Sequence, residues 1–325
     1  MTLSDTNTLN QPIITVGLTC FNAECTIERA IQSALTQDWP NLEVVVVDDA
    51  STDQSWTLIE RLAKADARLK PLRHATNAGA AAARNSILEM ASGELLAFFD
   101  DDDESLPARV RIQYETLCQY EAISGASLVA CYASGLRRYS SGYELILPAI
   151  GSELEIPQGE IVADYLLFND RKSGVFYGSG TPTCSLMARV STFKAVGGFD
   201  AGLRRAEDVD FAIRLALSGG HFIGCSQCLF TQHATVSSDK TPHKNLEAEL
   251  QLIDKHRAYL KRRKRYRYAR DWFYIRFFHF SGQRFKFFQA LAVFLLRYPL
   301  SGTAHLLRSA PARLRHERGM HQKTD

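Results

Sequence analysis

The sequence predicts an α/β protein: a mostly parallel central sheet covered on both faces by helices, followed by a basic, aromatic helical extension. Three observations carry this. Apolar, β-branched runs alternate with amphipathic stretches through residues 13–99. Polar clusters fall at the carboxyl ends of the expected strands, where open α/β sheets bind ligands. Charge is split along the chain: residues 1–254 hold 20 Lys and Arg against 33 Asp and Glu (net −13), whereas residues 255–325 hold 18 against 3 (net +15).

In order, "IITVGLTCF" (13–21) reads as a buried strand, continuous in apolar residues. "AECTIERAIQSALTQ" (23–37) carries apolar residues at 27, 30, 31, 34 and 35, a helical stripe. "LEVVVVDD" (42–49) is a second buried strand. "DQSWTLIERLAKA" (53–65) is a second helix with Ser51 or Thr52 as its cap. "LKPLRH" is a short strand, and "NAGAAAARNSILEMASG" (77–93) an alanine-rich helix closed by Gly93. "LLAFF" (95–99) is the fourth strand. Residues 125–200 are less regular, with glycine-rich loops. "RAEDVDFAIRLALSGG" (205–220) restores a helix, "HFIGCSQCLF" reads as a strand, and "TQHATVSSDKTPHKN" as a polar loop.

The 325 residues, 46% hydrophobic and 23% charged, suit a folded chain with a sizeable core. The polar start "MTLSDTNTLNQP" lacks the apolar stretch of a secretory signal. Seven scattered cysteines fit reduced thiols in a cytosol. Cys225 and Cys228 form a single CxxC, better read as two strand cysteines than as a zinc site. Neither GxGxxG nor GxxxxGK[ST] occurs, which disfavours a dinucleotide cofactor and a P-loop. Against these exclusions stands "LLAFFDDDDE": four adjacent aspartates, Asp100 to Asp103, repel one another unless a doubly charged cation makes the crowding favourable.

"TCFN", "VVVVDDAST", "NAGAAAARN", "ASGELLAFFDDDD", "GGFD" and "AEDVDFAIRLALSGG" occur in the order found in family 2 glycosyltransferases, and over residues 12–236 the chain resembles that family. The resemblance implies a Rossmann-like GT-A fold, a nucleotide-diphosphate sugar donor (a UDP-sugar by default), Mg²⁺ or Mn²⁺, and inversion at the anomeric carbon. It implies Asp102 as direct metal ligand, with Asp100 and Asp101 beside the ribose and the metal, and His233 completing the metal site or touching the diphosphate. Phe21 offers a ring face to the base and Asp49 an acceptor for a uracil-type imide, with Thr19 and Asn22 shaping the same wall. Arg84 can pair with the diphosphate. The family more often has tyrosine where Phe21 stands, and a glycine where Ser86 follows "RN". Asp208 stands where the family puts its base, and Glu207 orients the acceptor or supports the loop. "GSGTPTCS" (178–185) lines the acceptor side, and residues 232–245 are a candidate lid.

The expected organisation is a flexible N-terminus (1–11), a GT-A domain (12–245) with a nucleotide-binding half (12–104) and an acceptor half (105–245), and a basic amphipathic tail (246–325). Residues 261–300 hold 11 basic residues, one acid and many aromatics, with no apolar run of the ~20 residues that spans a bilayer. That composition suits a helix lying in an anionic membrane surface. Helices packed on the domain are the second reading and nucleic acid a distant third, so no nucleic acid is expected as a partner. The expected enzyme is an inverting, metal-dependent hexosyltransferase of polysaccharide or cell-envelope synthesis. It works at the cytoplasmic face of a membrane on a saccharide or lipid-linked acceptor. A non-catalytic nucleotide-sugar binder would not need Asp208. A nucleotidyltransferase would begin with a glycine-rich, basic loop that "TCFNAE" does not supply.

Overall fold

The computed structural model describes residues 11–234 and 241–308. Residues 1–10 of the expected flexible N-terminus, 235–240 of the expected lid and 309–325 of the tail lie outside the described residues.

The first hundred residues fold as their periodicity dictates. β1 (Ile14–Cys20), β2 (Leu42–Asp48), β3 (Leu69–Arg73) and β4 (Leu95–Asp100) alternate with α1 (Ile27–Leu35), α2 (Ser55–Ala65) and α3 (Ala80–Met90). The four strands pair in parallel in the order β3-β2-β1-β4. β1 and β2 are buried along nearly their whole length because helices cover both faces. The parallel register brings Thr19 beside Asp100, and Cys20 beside Asp48. The polar clusters at the strand ends are thereby gathered at one edge of the sheet.

After β4 come β5 (Glu104–Ser105), α4 (Arg109–Ser124), β6 (Val129–Arg138), β7 (Glu144–Leu147) and α5 (Glu160–Phe168). Then follow β8 (Leu186–Arg189), α6 (Val190–Ala195), α7 (Glu207–Leu217) and β9 (His221–His233). The sheet continues β4-β8-β6-β9-β5, with β7 on β6. β8 is antiparallel to both β4 and β6, while β9 is parallel to β6. The irregular look of residues 125–200 thus comes from short strands and from α5, whose apolar residues face several neighbours at once. β9 bulges opposite Ala133 and Ser134, so the CxxC spans an irregular stretch; both its cysteines are free thiols, Cys225 buried and Cys228 exposed.

Three local expectations are corrected. α2 begins at Ser55, and its first turn is held by Asp53, whose Oδ1 accepts from the Ser55 N–H at 3.0 Å; Ser51 instead accepts from the Asn22 N–H at 2.9 Å, across to the β1 loop. α3 ends at Met90, short of Gly93. Gly93 is required by close approach, since a Cβ there would stand 2.6 Å from the Ile13 carbonyl oxygen. The 231–245 stretch is not all loop: β9 runs to His233, and α8 (Pro242–Lys255) starts with Thr241 accepting from the Lys244 N–H.

α8, α9 (Arg257–Arg262), α10 (Tyr266–Phe280) and α11 (Arg284–Arg297) form the C-terminal extension. Leu252, Ile253, Leu260, Tyr268, Ala269, Phe273 and Phe294 belong to the same buried core as Val162 and Leu167 of α5. One face of the extension therefore packs on the domain, the arrangement ranked second from the sequence. Among the described residues no helix is long and apolar enough to cross a membrane.

Candidate active site

At the rim of β1 the Phe21 side chain is 45% exposed, and its N–H donates to Asp101 Oδ2 at 3.1 Å. Asn22 adopts a left-handed backbone (φ 52°), and its Oδ1 accepts from the Thr52 N–H at 2.8 Å. Its side chain is thus spent on bracing the loop after β2. Thr19 lies half-buried between them and Asp100.

The two acids that end β2 divide their work. Asp49 accepts from the N–H groups of Ala78 (2.8 Å) and Gly79 (2.7 Å), anchoring the start of α3. It also lies 2.7 Å from His74 Nδ1, and His74 Nε2 lies 2.9 Å from the Ser86 hydroxyl. Ser86, in place of the family's glycine, thus closes a chain back to Asp49. Asp48 is fully buried; its Oδ2 receives Ser51 N–H and Arg73, but its Oδ1 has no hydrogen-bond partner. An open buried acceptor is costly unless something donates to it. Asp49, where the acceptor for the base is expected, is thus engaged by the start of α3, and the open oxygen at this strand end belongs to Asp48.

The aspartates after β4 form a crowded acidic edge. Burial and then its acidic neighbours push Asp101 up to about 8 and Asp103 up to about 8, and burial also raises Asp100. Asp103 is 4% exposed, and its Oδ1 has no partner. Ligand atoms of Asp100, Asp103 and Cys184 lie within 4.8 Å of one another. Burial holds the Cys184 thiol protonated, so the oxygens are the donors that fit a hard divalent cation here. Asp102 contributes its carbonyl oxygen to Arg29 at 2.8 Å. His233 ends β9 with Nε2 3.9 Å from Glu104, its pKa lowered by burial and by Arg29; it lies outside the Asp100–Asp103–Cys184 group.

Beneath the edge sits Arg109, 1% exposed, donating to Gln113, Ser105 and the carbonyls of Phe98 and Cys184. Burial lowers it to about 10, while Asp103 and Asp100 work in the opposite direction. It places a fixed positive charge under the carboxylates.

α7 supplies the opposing wall. Glu207 is buried and ion-paired with Arg84 of α3, which also lies over the Phe199 ring. Burial opposes the Arg84 charge, but Glu207, Asp100 and Asp208 together raise its pKa. Arg84 therefore joins the two acidic groups from a buried position. Asp208 is half-buried; burial and then Glu207 raise it to about 6. The "GGFD" turn is pinned by Asn85, whose Nδ2 donates to the Phe199 carbonyl and whose Oδ1 accepts from the Phe199 N–H, both at 2.8 Å. Ala206, just before Glu207, has φ 61°, and Ala50 after Asp49 has φ 62°. Left-handed, non-glycine backbone thus recurs at Asn22, Ala50 and Ala206, all on the rim of this site.

The sequence profile of the family described as glycosyl transferase family 2 matches residues 15–183, just over half of the chain. The chain belongs to this family. A curated relative is the UDP-Glc:alpha-D-GlcNAc-diphosphoundecaprenol beta-1,3-glucosyltransferase WfaP of Escherichia coli, 33% identical over 101 residues, 31% of this chain and 39% of WfaP. The chain spans less than half the length of such curated relatives. Among solved structures, S. aureus TarS 1–349 in complex with UDP-GlcNAc superposes with TM-score 0.59 at 19% identity, over 87% of this chain and 80% of TarS 1–349. The Pyrobaculum calidifontis mannosyltransferase PcManGT, in complex with GDP-Man and Mn²⁺, superposes with TM-score 0.54 at 20% identity, over 94% of this chain and 82% of that chain. These likenesses bear out the expected GT-A fold.

Within this family 2 chain, the individual roles of five groups at the site escaped sequence reasoning. Asp103 was read only as part of the acidic run. Cys184, Gln232 and Arg109 reach the same edge from the turn before β8, from β9 and from α4. The Tyr132 hydroxyl of β6 is buried without a partner, and Asp208 is among the charges that raise its pKa. No local motif marks the last four; the order of the strands and of α4 brings them to Asp103.

Proposed function

We propose that the chain transfers a sugar from a nucleotide diphosphate, a UDP-sugar, to a hydroxyl of a saccharide or lipid-linked acceptor, with inversion. The observation that carries this reading is the position of Asp208. It opens a helix across from the acidic edge, with Arg84 between them, and its pKa of about 6 leaves it ionised but still basic at neutral pH. In a single displacement the acceptor O–H gives its proton to the Asp208 carboxylate as its oxygen bonds to the anomeric carbon. The bond from that carbon to the phosphate oxygen breaks, and its electron pair leaves with the diphosphate.

The nucleotide base stacks on exposed Phe21, and its imide N–H is directed to the acid pair that ends β2, Asp48 and Asp49. Arg84 stands ready for the diphosphate and holds Glu207 in place. A divalent cation, when bound, supplies neutralisation of the departing diphosphate. Asp102, Asp100 and Asp103 would hold it, with His233 at the margin. TarS binds UDP-GlcNAc, PcManGT binds GDP-Man with Mn²⁺, and WfaP is named for a diphosphoundecaprenol-linked acceptor, which supports a nucleotide-sugar donor and an envelope acceptor. The reading is tested by incubating the full chain with a panel of nucleotide sugars and Mg²⁺ or Mn²⁺ and measuring released nucleotide diphosphate. Absence of release with every donor would remove the transferase reading.

A membrane face completes the proposal. Phe285, Phe288, Leu296 and Leu300 are 82%, 64%, 84% and 87% exposed, amid Arg284, Lys286 and Arg297. Exposed aromatic and leucine side chains among cations suit an anionic lipid surface, which would hold the enzyme at the inner face of the membrane. Cosedimentation with phosphatidylglycerol vesicles tests this: binding that persists unchanged in Phe285→Glu/Leu296→Glu, or no binding at all, counts against it.

A further inference from the structure

Beside the acidic edge lies a cavity of about 280 Å³ between β6, the turn after β7 and the segment 178–185. It adjoins the site through two shared residues: Gln232 and Cys184 line it, and the Gln232 amide lies 3.5 Å from Asp103 Oδ2 and 3.9 Å from Cys184 Sγ. Leu147, Pro148 and Pro182 give it an apolar wall. Its lining holds one charged side chain, Arg137.

Arg137 is chemically incomplete. Its Nε donates to Gln232 Oε1 at 2.7 Å, and its Nη2 donates to the same oxygen. Both bonds go to one neutral acceptor, although a guanidinium carries five N–H donors and a full charge. Among the described residues no carboxylate lies within ion-pairing distance of it, whereas neighbouring Arg138 pairs with Glu144 at 2.8 Å. Gln232 fixes the fork in one orientation, which lowers the cost of binding a planar or tetrahedral anion. The volume is small beside ligand pockets of about 300–1,000 Å³, which suits one sugar ring with its charged substituent.

We propose that this cavity seats an anionic group of the acceptor, a phosphate ester or a uronate carboxylate, on Arg137. The proposal rests on the transferase reading above and names the acceptor class for it: a charged glycosyl unit rather than a neutral one. Apolar contacts to the ring and a forked contact to the anion then present the hydroxyl towards the acidic edge and Asp208.

The test titrates the full chain calorimetrically with glucose 1-phosphate, methyl glucuronide and neutral methyl glucoside, and separately with UDP. The expected result is that at least one charged ligand binds about tenfold or more tighter than methyl glucoside. The charged ligand that binds tighter identifies the source of the anion. Arg137→Met should abolish the preference, Arg137→Lys should keep part of it, and UDP affinity should be unchanged in both. Should Arg137→Met not fold, Ser179→Phe, at an exposed residue on the rim, should block the charged ligand while leaving UDP binding intact. Equal binding of charged and neutral glycosides overturns the proposal, as does a preference retained without Arg137 or with the cavity blocked. So does displacement of the charged ligand by UDP, which would put it in the nucleotide site. Because UDP binding is read independently, loss of the acceptor proposal leaves the donor reading standing, and failure of UDP to bind strikes the donor reading alone.

Discussion

Asp210 of α7 and His256 of the C-terminal extension are joined by a 2.9 Å hydrogen bond in the core, and Asp210 also binds Lys255 and Arg214 at 2.9 and 2.8 Å. Asp210 is fully buried and lies two residues beyond Asp208, so the helix that carries the proposed base is anchored by the extension. Asp210→Ala leaves His256, Lys255 and Arg214 without the carboxylate they share. Urea unfolding should show a loss of about 3 kcal/mol.

The same carboxylate sets an acid limit. Burial resists its ionisation, but His256, Lys255 and Arg214 outweigh that and hold Asp210 down to about 2. A depressed folded pKa gives stability that is complete above the unfolded carboxyl value and is lost as pH falls towards 2. The Asp210 contribution should therefore fade in melts taken from about pH 4 down towards pH 2, and Asp210→Ala should flatten that part of the profile.

The acidic edge has the opposite sign. Asp101 and Asp103, raised to about 8, bind more protons in the folded chain than in the unfolded one. Their stabilising effect is full below the unfolded carboxyl pKa and lost as pH rises through about 8. A divalent cation should relieve that repulsion, so added Mn²⁺ should raise the melting temperature more at pH 8 than at pH 6. Equal shifts at both would argue against cation binding by these groups.

Activity should follow Asp208. The rate of transfer under subsaturating substrate should rise with pH through about 6 as the base ionises. Asp208→Asn should lower kcat by about 10²–10⁴-fold with little change in UDP affinity. A variant as active as the parent would return the chain to the class of nucleotide-sugar binders.

Asp48 and Asp49 should separate by assay. Asp48→Asn removes the open buried oxygen and should weaken UDP binding about tenfold. Asp49→Ala strips the start of α3 of its anchor and should appear chiefly as a stability loss of about 2 kcal/mol in thermal melts.

Much of this was readable before the fold was known. β1 to β4 announce themselves through apolar runs because both faces are covered, and the position of Asp100 at a strand end follows directly. The apolar stripe placed Asp208 and Glu207 at a helix start, while the roles expected of them came from the resemblance to family 2. Arg109 was not, because nothing local distinguishes an arginine lying under carboxylates from one in solvent. Cys184 and Gln232 became neighbours of Asp103 only through the insertion of β8 between β4 and β6, and the pairing of β9 with β5. The extension was legible only in part: Tyr268 and Phe273 are aromatic and pack on the core, whereas Phe285 and Phe288 are aromatic and exposed. Composition alone counts both kinds alike.

The hydrogen-bonded sheet runs unbroken from β3 to β5. A ladder of this kind cannot bend sharply without breaking strand pairs, so the nucleotide and acceptor sides do not swing about a hinge as separate lobes. Enclosure of the substrates is then left to short rim segments outside the strand ladder, such as 178–185.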